Sequence, residues 1–110
     1  MIQRDTFDEL IKGLEPFDRR LVHILDKLRT RHHRTAVETS RFELCHLLGL
    51  EYSPEHAACI DESLARLKAT PLHLSGPQSG FSLTTRALTA IQEEAGSEKL
   101  TLVLGKLFTL

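Results

Sequence analysis

Apolar residues along the chain recur mostly at helical spacing, interrupted by short runs in which every second residue is apolar or β-branched. In RDTFDELIKGLEPF, Phe7, Leu10, Ile11 and Leu14 share one stripe, which predicts a short amphipathic helix. Thr6 is its expected N-cap, with Glu9 in the capping-box position, and Pro16 blocks simple continuation. PFDRRLVHILDKLRTR carries the clearest helical pattern: Phe17, Leu21, Ile24, Leu25 and Leu28 form one apolar face. Asp18 near its start and Arg29 and Arg31 near its end suit the helix dipole.

TAVETS then places β-branched Thr35, Val37 and Thr39 at alternate positions, a short strand. Ser40 caps RFELCHLLGL with Glu43 three residues on, and Gly49 is placed to end that helix in the left-handed conformation. Ser53, Pro54 and Glu55 open the next helix, whose core stripe is Ile60, Leu64 and Leu67. PLHLS and GFSLT read as two strands around the GPQSG turn. TTRALTAIQEEAG is expected to be a further helix with Ala87, Leu88 and Ile91 facing in, followed by the apolar tail KLTLVLGKLFTL. Helix, strand, helix, helix and hairpin in that order predict an α+β chain, mainly helical, of winged helix-turn-helix plan.

At FELCHLLGL and IDESLARLKATPLHL the chain resembles the winged-helix domains of plasmid replication initiator proteins. The resemblance is carried by Leu47, Leu48 and Gly49, then by Leu64, Leu67, Thr70 and the strand around Leu72, and the tail resembles a later initiator segment. It covers roughly residues 40–110 through helix-and-strand grammar. It implies binding to repeated origin sequences and self-association, usually with a second winged-helix domain. The 110 residues have room for one such domain, which is expected to be an initiator fragment, a small relative or a regulator of the same fold. A winged-helix transcription factor also accommodates GFSLTTRAL, as the outgoing wing strand before a dimerisation helix.

Composition narrows the classes. Hydrophobic content of 41% and charged content of 26% are those of a globular protein, and no apolar run approaches a bilayer span. The start lacks the order of a secretion signal, and two cysteines are too few for a disulfide framework, so a cytoplasmic setting is expected, with no membrane partner. Net charge is −1, but it is unevenly spread: seven basic residues against two acidic between Arg19 and Arg41, and five against seven from Glu51 to Leu110.

That distribution directs the search for chemistry. The Ser53–Thr70 helix presents Glu55, His56, Ala57, Ala58, Asp61 and Glu62 where base readout needs Arg, Lys, Asn or Gln, so sequence-specific reading by it is not expected. RTRHHRT is the better DNA candidate, with His32 and His33 adding charge below about pH 6.5; against this, with no aromatic among its cations to stack on bases, it reads as a solvated loop that complements the preceding helix end. The expected phosphate contacts are Arg29, Arg31, Arg34, Arg41, Arg66 and Lys68, on double-stranded DNA. Cys45, His46, His56 and Cys59 have zinc-ligand chemistry, but Cys45 falls among core residues and adjacent Cys45 and His46 point about 100° apart on a helix, so no metal is expected. No phosphate-cradling glycine loop, nucleophile elbow or carboxylate pair suggests an enzyme, a cofactor or a small-molecule substrate. The tail packs Leu100, Leu102, Val103, Leu104, Leu107, Phe108 and Leu110 closely; as a sheet edge it is expected to pair with a second copy through Leu102, Leu104, Leu107 and Phe108. Two functions follow: a DNA-associated domain of initiator type working by dimerisation and phosphate contact, or a winged helix serving only as a protein-interaction module.

Overall fold

In a computed structural model, residues 4–32, 35–75, 82–94 and 99–108 are described. They form four α-helices, α1 (Arg4–Ile11), α2 (Pro16–His32), α3 (Arg41–Leu47) and α4 (Pro54–Ala69), and five strands. The strands are β1 (Ala36–Ser40), β2 (Leu72–Ser75), β3 (Ser82–Thr85), β4 (Leu88–Glu93) and β5 (Lys99–Leu104), with a 3-10 turn at Lys106–Phe108. The architecture is α+β. The turn expected between β2 and β3 lies outside the described residues, as do His33, Arg34 and Leu110.

Local chemistry accounts for the helix ends. Ser40 Oγ accepts from the Glu43 N–H at 3.0 Å and Ser53 Oγ from the His56 N–H at 3.1 Å, each satisfying a donor that the first helical turn leaves unpaired. The Glu43 carboxylate does not complete a capping box; it accepts from Thr39 Oγ1 at 2.5 Å. Gly49 sits at φ +76°, and Gly49 N–H and Leu50 N–H donate to the His46 and Cys45 carbonyls at 3.1 and 2.8 Å. These two bonds are a Schellman closure, which turns the chain from α3 toward α4. Thr6, expected to cap α1, lies inside it.

The last third departs from the expectation. The segment expected as a helix with Ala87, Leu88 and Ile91 inward is the end of β3 and then β4. Ala87 and Leu88 are buried as expected, but extended pairing wins: β4 runs antiparallel to β5, with Ile91 opposite Leu102 and a bulge between Leu88 and Ala90. Pairing of the tail with a second copy requires it to lie at a sheet edge. Instead β5 is the central strand, in the order β1-β5-β4, with both neighbours antiparallel. Hairpin β2–β3 forms a separate two-stranded sheet.

β5 alternates as a half-buried strand should. Leu100, Leu102 and Leu104 point into the core with Val37 of β1, while Thr101 and Val103 lie on the other face. The core is completed by Phe7, Leu10 and Ile11 of α1, the α2 stripe, Leu44 and Cys45 of α3, and Ile60, Leu64 and Leu67 of α4. Leu107 and Phe108 close it, with the Phe108 ring tilted against Phe7 at 5.9 Å between centroids. Among the described residues, no helix is long and apolar enough to cross a membrane.

Candidate functional site

Two charged clamps fix how the helices present their cations. The first joins α2 to α4. Asp18, only 2% exposed, accepts from Arg66 Nε at 3.0 Å and Arg66 Nη2 at 2.9 Å, and the buried Ser63 hydroxyl also donates to it. Burial alone raises the Asp18 pKa. The hydrogen bonds from Arg66 and Ser63 and the Arg66 charge outweigh it, and the carboxyl is held below its ordinary value. Glu15 lies 3.7 Å from the same guanidinium.

The second clamp joins α3, α4 and β4. Arg41 Nε donates to Asp61 Oδ1 at 2.7 Å, and Arg41 Nη2 donates to Glu93 Oε1. The Asp61 hydrogen bond, opposed by burial and aided by Glu93, raises the Arg41 pKa. Arg41 and Arg66, both expected to meet phosphate, are therefore held by this chain's own carboxylates. A guanidinium paired in this way has its charge offset and those donors occupied by the carboxylates. Arg29 is drawn the same way, since its Nη2 donates to Asp26 Oδ1 at 3.3 Å and its Nε is buried without a partner. Arg31 and Lys68 are exposed and form no side-chain hydrogen bond or ion pair among the described residues. Arg34 lies outside the described residues.

The sheet register sorts the remaining charge. At one end, β1 begins, β5 finishes and β4 begins: the Leu104 N–H donates to Thr35 O at 2.7 Å and the Gly105 N–H to Ala87 O at 2.8 Å. Arg86 and Lys106, both exposed, flank this junction, and Arg31 lies in the last turn of α2, which ends at His32. Lys68, in the last turn of α4, precedes Pro71, which lines a shallow cavity with Arg86 and Lys106. At the opposite end, Glu38, Glu93 and Glu94 line a groove of about 410 Å³ with Lys99 and Thr101, beside the Arg41–Asp61 pair. One end of the sheet is thus cationic and the other mainly acidic.

The other expected sites separate. Leu102, Leu104, Leu107 and Phe108 are 0, 5, 0 and 5% exposed, so their side chains fill this chain's own core, and the unpaired edge assigned to the tail is occupied by β1 and β4. Cys45 is buried, with its thiol pKa raised by that burial and by nearby Cys59, which is exposed. His56 Nδ1 hydrogen-bonds the Glu51 carbonyl at 2.5 Å. Among the described residues, no three His, Cys, Asp or Glu side chains converge as a metal site. The outward part of α4 carries Glu55, Ala58, Asp61, Glu62 and Ala65 before Lys68. Next to its start, Phe42 and Tyr52 are 61 and 40% exposed, with rings tilted at 5.7 Å.

Sequence reasoning did not single out Thr85, Arg86 or Lys106. Arg86 lay within an expected helix and Lys106 within an expected dimer tail, and only the strand register brings them together. Comparison with protein-family models, with curated proteins and with solved structures returns no match.

Proposed function

We propose that this chain is a winged-helix domain of replication-initiator type that associates with double-stranded DNA through phosphates, without base reading by α4. The observation that carries this reading is the pairing of Arg86 with Lys106 at one end of the sheet, away from the carboxylates of the other, with the exposed, unpaired Arg31 and Lys68 in the last turns of α2 and α4. The winged-helix assignment is supported by the order α2-β1-α3-α4-β2-β3 and the closed turn at Gly49. It departs from the simple plan in pairing β1 with β5. The acids on α4 repel phosphate, so DNA association falls to the cationic end, which is suited to non-specific, salt-sensitive binding. Self-association, which the initiator resemblance implies, requires a face other than the side chains of Leu102, Leu104, Leu107 and Phe108.

Anisotropy of a labelled duplex at stepped salt concentrations tests this. Arg31→Glu with Lys68→Glu weakens binding and flattens the salt slope by about one unit for each phosphate that is no longer neutralised. Lys99→Glu, at the opposite end of the sheet, changes it little. Equal damage from Lys99→Glu overturns the assignment of DNA association to the cationic end.

A specific feature favours a second reading, a protein-interaction module: the exposed Phe42–Tyr52 pair beside the acidic start of α4. Absence of duplex binding at low salt by the folded wild-type chain decides for it.

A further inference from the structure

We propose that the exposed Phe42–Tyr52 pair is a docking surface for an arginine-bearing segment of a basic partner protein. The inference rests on the reading of this pair as a protein-interaction surface and names its occupant. Phe42 and Tyr52 are the large hydrophobic residues that the described part of the chain leaves exposed, at 61 and 40%. Their ring centroids lie 5.7 Å apart with the planes tilted by 55°, so they form one patch, not two isolated side chains. Apolar residues scattered singly over a surface are ordinary, whereas a contiguous apolar patch with a polar rim is a feature of interaction sites.

The backbone that carries the patch is held from both sides. Phe42 sits in the first turn of α3, directly after its Ser40 cap, and Tyr52 lies between the Gly49 closure and the Ser53 cap of α4. The bond from His56 Nδ1 to the Glu51 carbonyl ties the residue before Tyr52 to the first turn of α4. A partner therefore meets rings that are already placed, which lowers the ordering cost of binding.

Charge selects the occupant. Glu51 and Glu55 flank Tyr52 in the chain, and both are exposed, with side chains that form no hydrogen bond or ion pair among the described residues. The cation beside Phe42, Arg41, is committed to Asp61 and Glu93, and from Phe42 to Cys59 the chain has no lysine or arginine. Aromatic faces and open carboxylates thus lie together without a cation of the chain's own to answer them. A guanidinium satisfies both, because its plane stacks on a ring while its N–H groups reach carboxylate oxygens. Nucleic acid is disfavoured here, since its phosphates would face Glu51 and Glu55. Neither the acidic groove nor the shallow cavity is lined by Phe42 or Tyr52, so the patch suits a segment of chain laid across it.

The test is titration of the isotope-labelled chain, followed by amide NMR, with short glycine-spaced peptides bearing arginine, lysine or leucine. The arginine peptide shifts the signals around Phe42 and Tyr52 and binds roughly two- to fivefold more tightly than the lysine peptide, the margin that stacking on an exposed ring supplies. Phe42→Ala, an exposed change that leaves the core signals in place, removes that margin. Glu51→Gln with Glu55→Gln, which keeps the side-chain shapes, weakens both cationic peptides. Absence of shifts with the arginine peptide, or equal affinity for arginine and lysine, overturns the proposal. Preference for the leucine peptide overturns the basic partner and leaves the patch as a protein-docking surface. Shifts of the same signals on dilution of the chain alone assign the patch to a second copy and overturn it as well. Duplex binding at low salt, measured on the same samples, counts against a module that serves only protein interaction and leaves the peptide result standing.

Discussion

The Asp18 carboxylate receives both arms of Arg66, at 3.0 and 2.9 Å, across 48 positions of sequence. It ties the first turn of α2 to the last turns of α4, with Ser63 as a third donor from within the α4 core stripe. Asp18→Asn keeps the shape and removes the charge. Loss of about 1–3 kcal/mol is expected, the range for hydrogen bonds to a buried charged group, read as a lower urea midpoint at unchanged slope.

The same pair sets an acid limit. A carboxyl held below its ordinary value of 3.8 adds stability that is complete above that value and is lost as the pH falls through the lowered one. The wild-type chain therefore loses stability below about pH 4. Asp18→Asn, which lacks this contribution, shows a flatter profile there. Melting temperatures in acid buffers compare the two; parallel curves count against Asp18 as the titrating group.

Glycines 49, 105 and 13 separate three kinds of constraint. Gly49→Ala places a side chain at φ +76° and is expected to cost about 1–2 kcal/mol. Gly105→Ala drives a methyl group into the Arg86 carbonyl, forcing β5 and the β3–β4 junction apart at a cost of at least about 1–3 kcal/mol. Gly13→Ala meets nothing within 4 Å and is expected to be neutral or slightly stabilising. Denaturant midpoints rank them; a Gly105→Ala protein as stable as Gly13→Ala contradicts the close approach.

Thr85→Val replaces an unpaired buried hydroxyl with a methyl group of the same shape. The variant is expected to be as stable as wild type or up to about 1 kcal/mol more so. Thermal melts of the two proteins give the comparison; a clearly lower melting temperature for Thr85→Val contradicts the unpaired hydroxyl.

Features written in adjacent residues were readable in advance, and those made by distant pairing were not. Ser40, Ser53 and Gly49 act on their own helix ends, so their roles follow from position. Ala87, Leu88 and Ile91 fit a helical stripe as well as a strand, and it is the β5 partner, not local preference, that makes β4 extended. Arg41 and Arg66 looked available because their carboxylate partners lie 20 and 48 residues away. The exposed positions of Arg31 and Lys68 follow from their helices. Thr85, Arg86 and Lys106 become neighbours only through sheet register and the close approach of Gly105.

Placing β5 between β1 and β4 also orders events during synthesis. Val37 pairs with Leu102, so β1 leaves the ribosome about sixty residues before the strand that completes it. At about 5–20 residues per second, its inner edge waits roughly 3–12 s for a partner. α3 and α4 emerge within that interval and can pack on α2 through Leu44, Ile60 and Leu64, forming a helical platform before the sheet exists. During that wait the exposed edge of β1 is the nascent chain's point of vulnerability to strand capture by a neighbour, and the arrival of Leu100, Leu102 and Leu104 ends it.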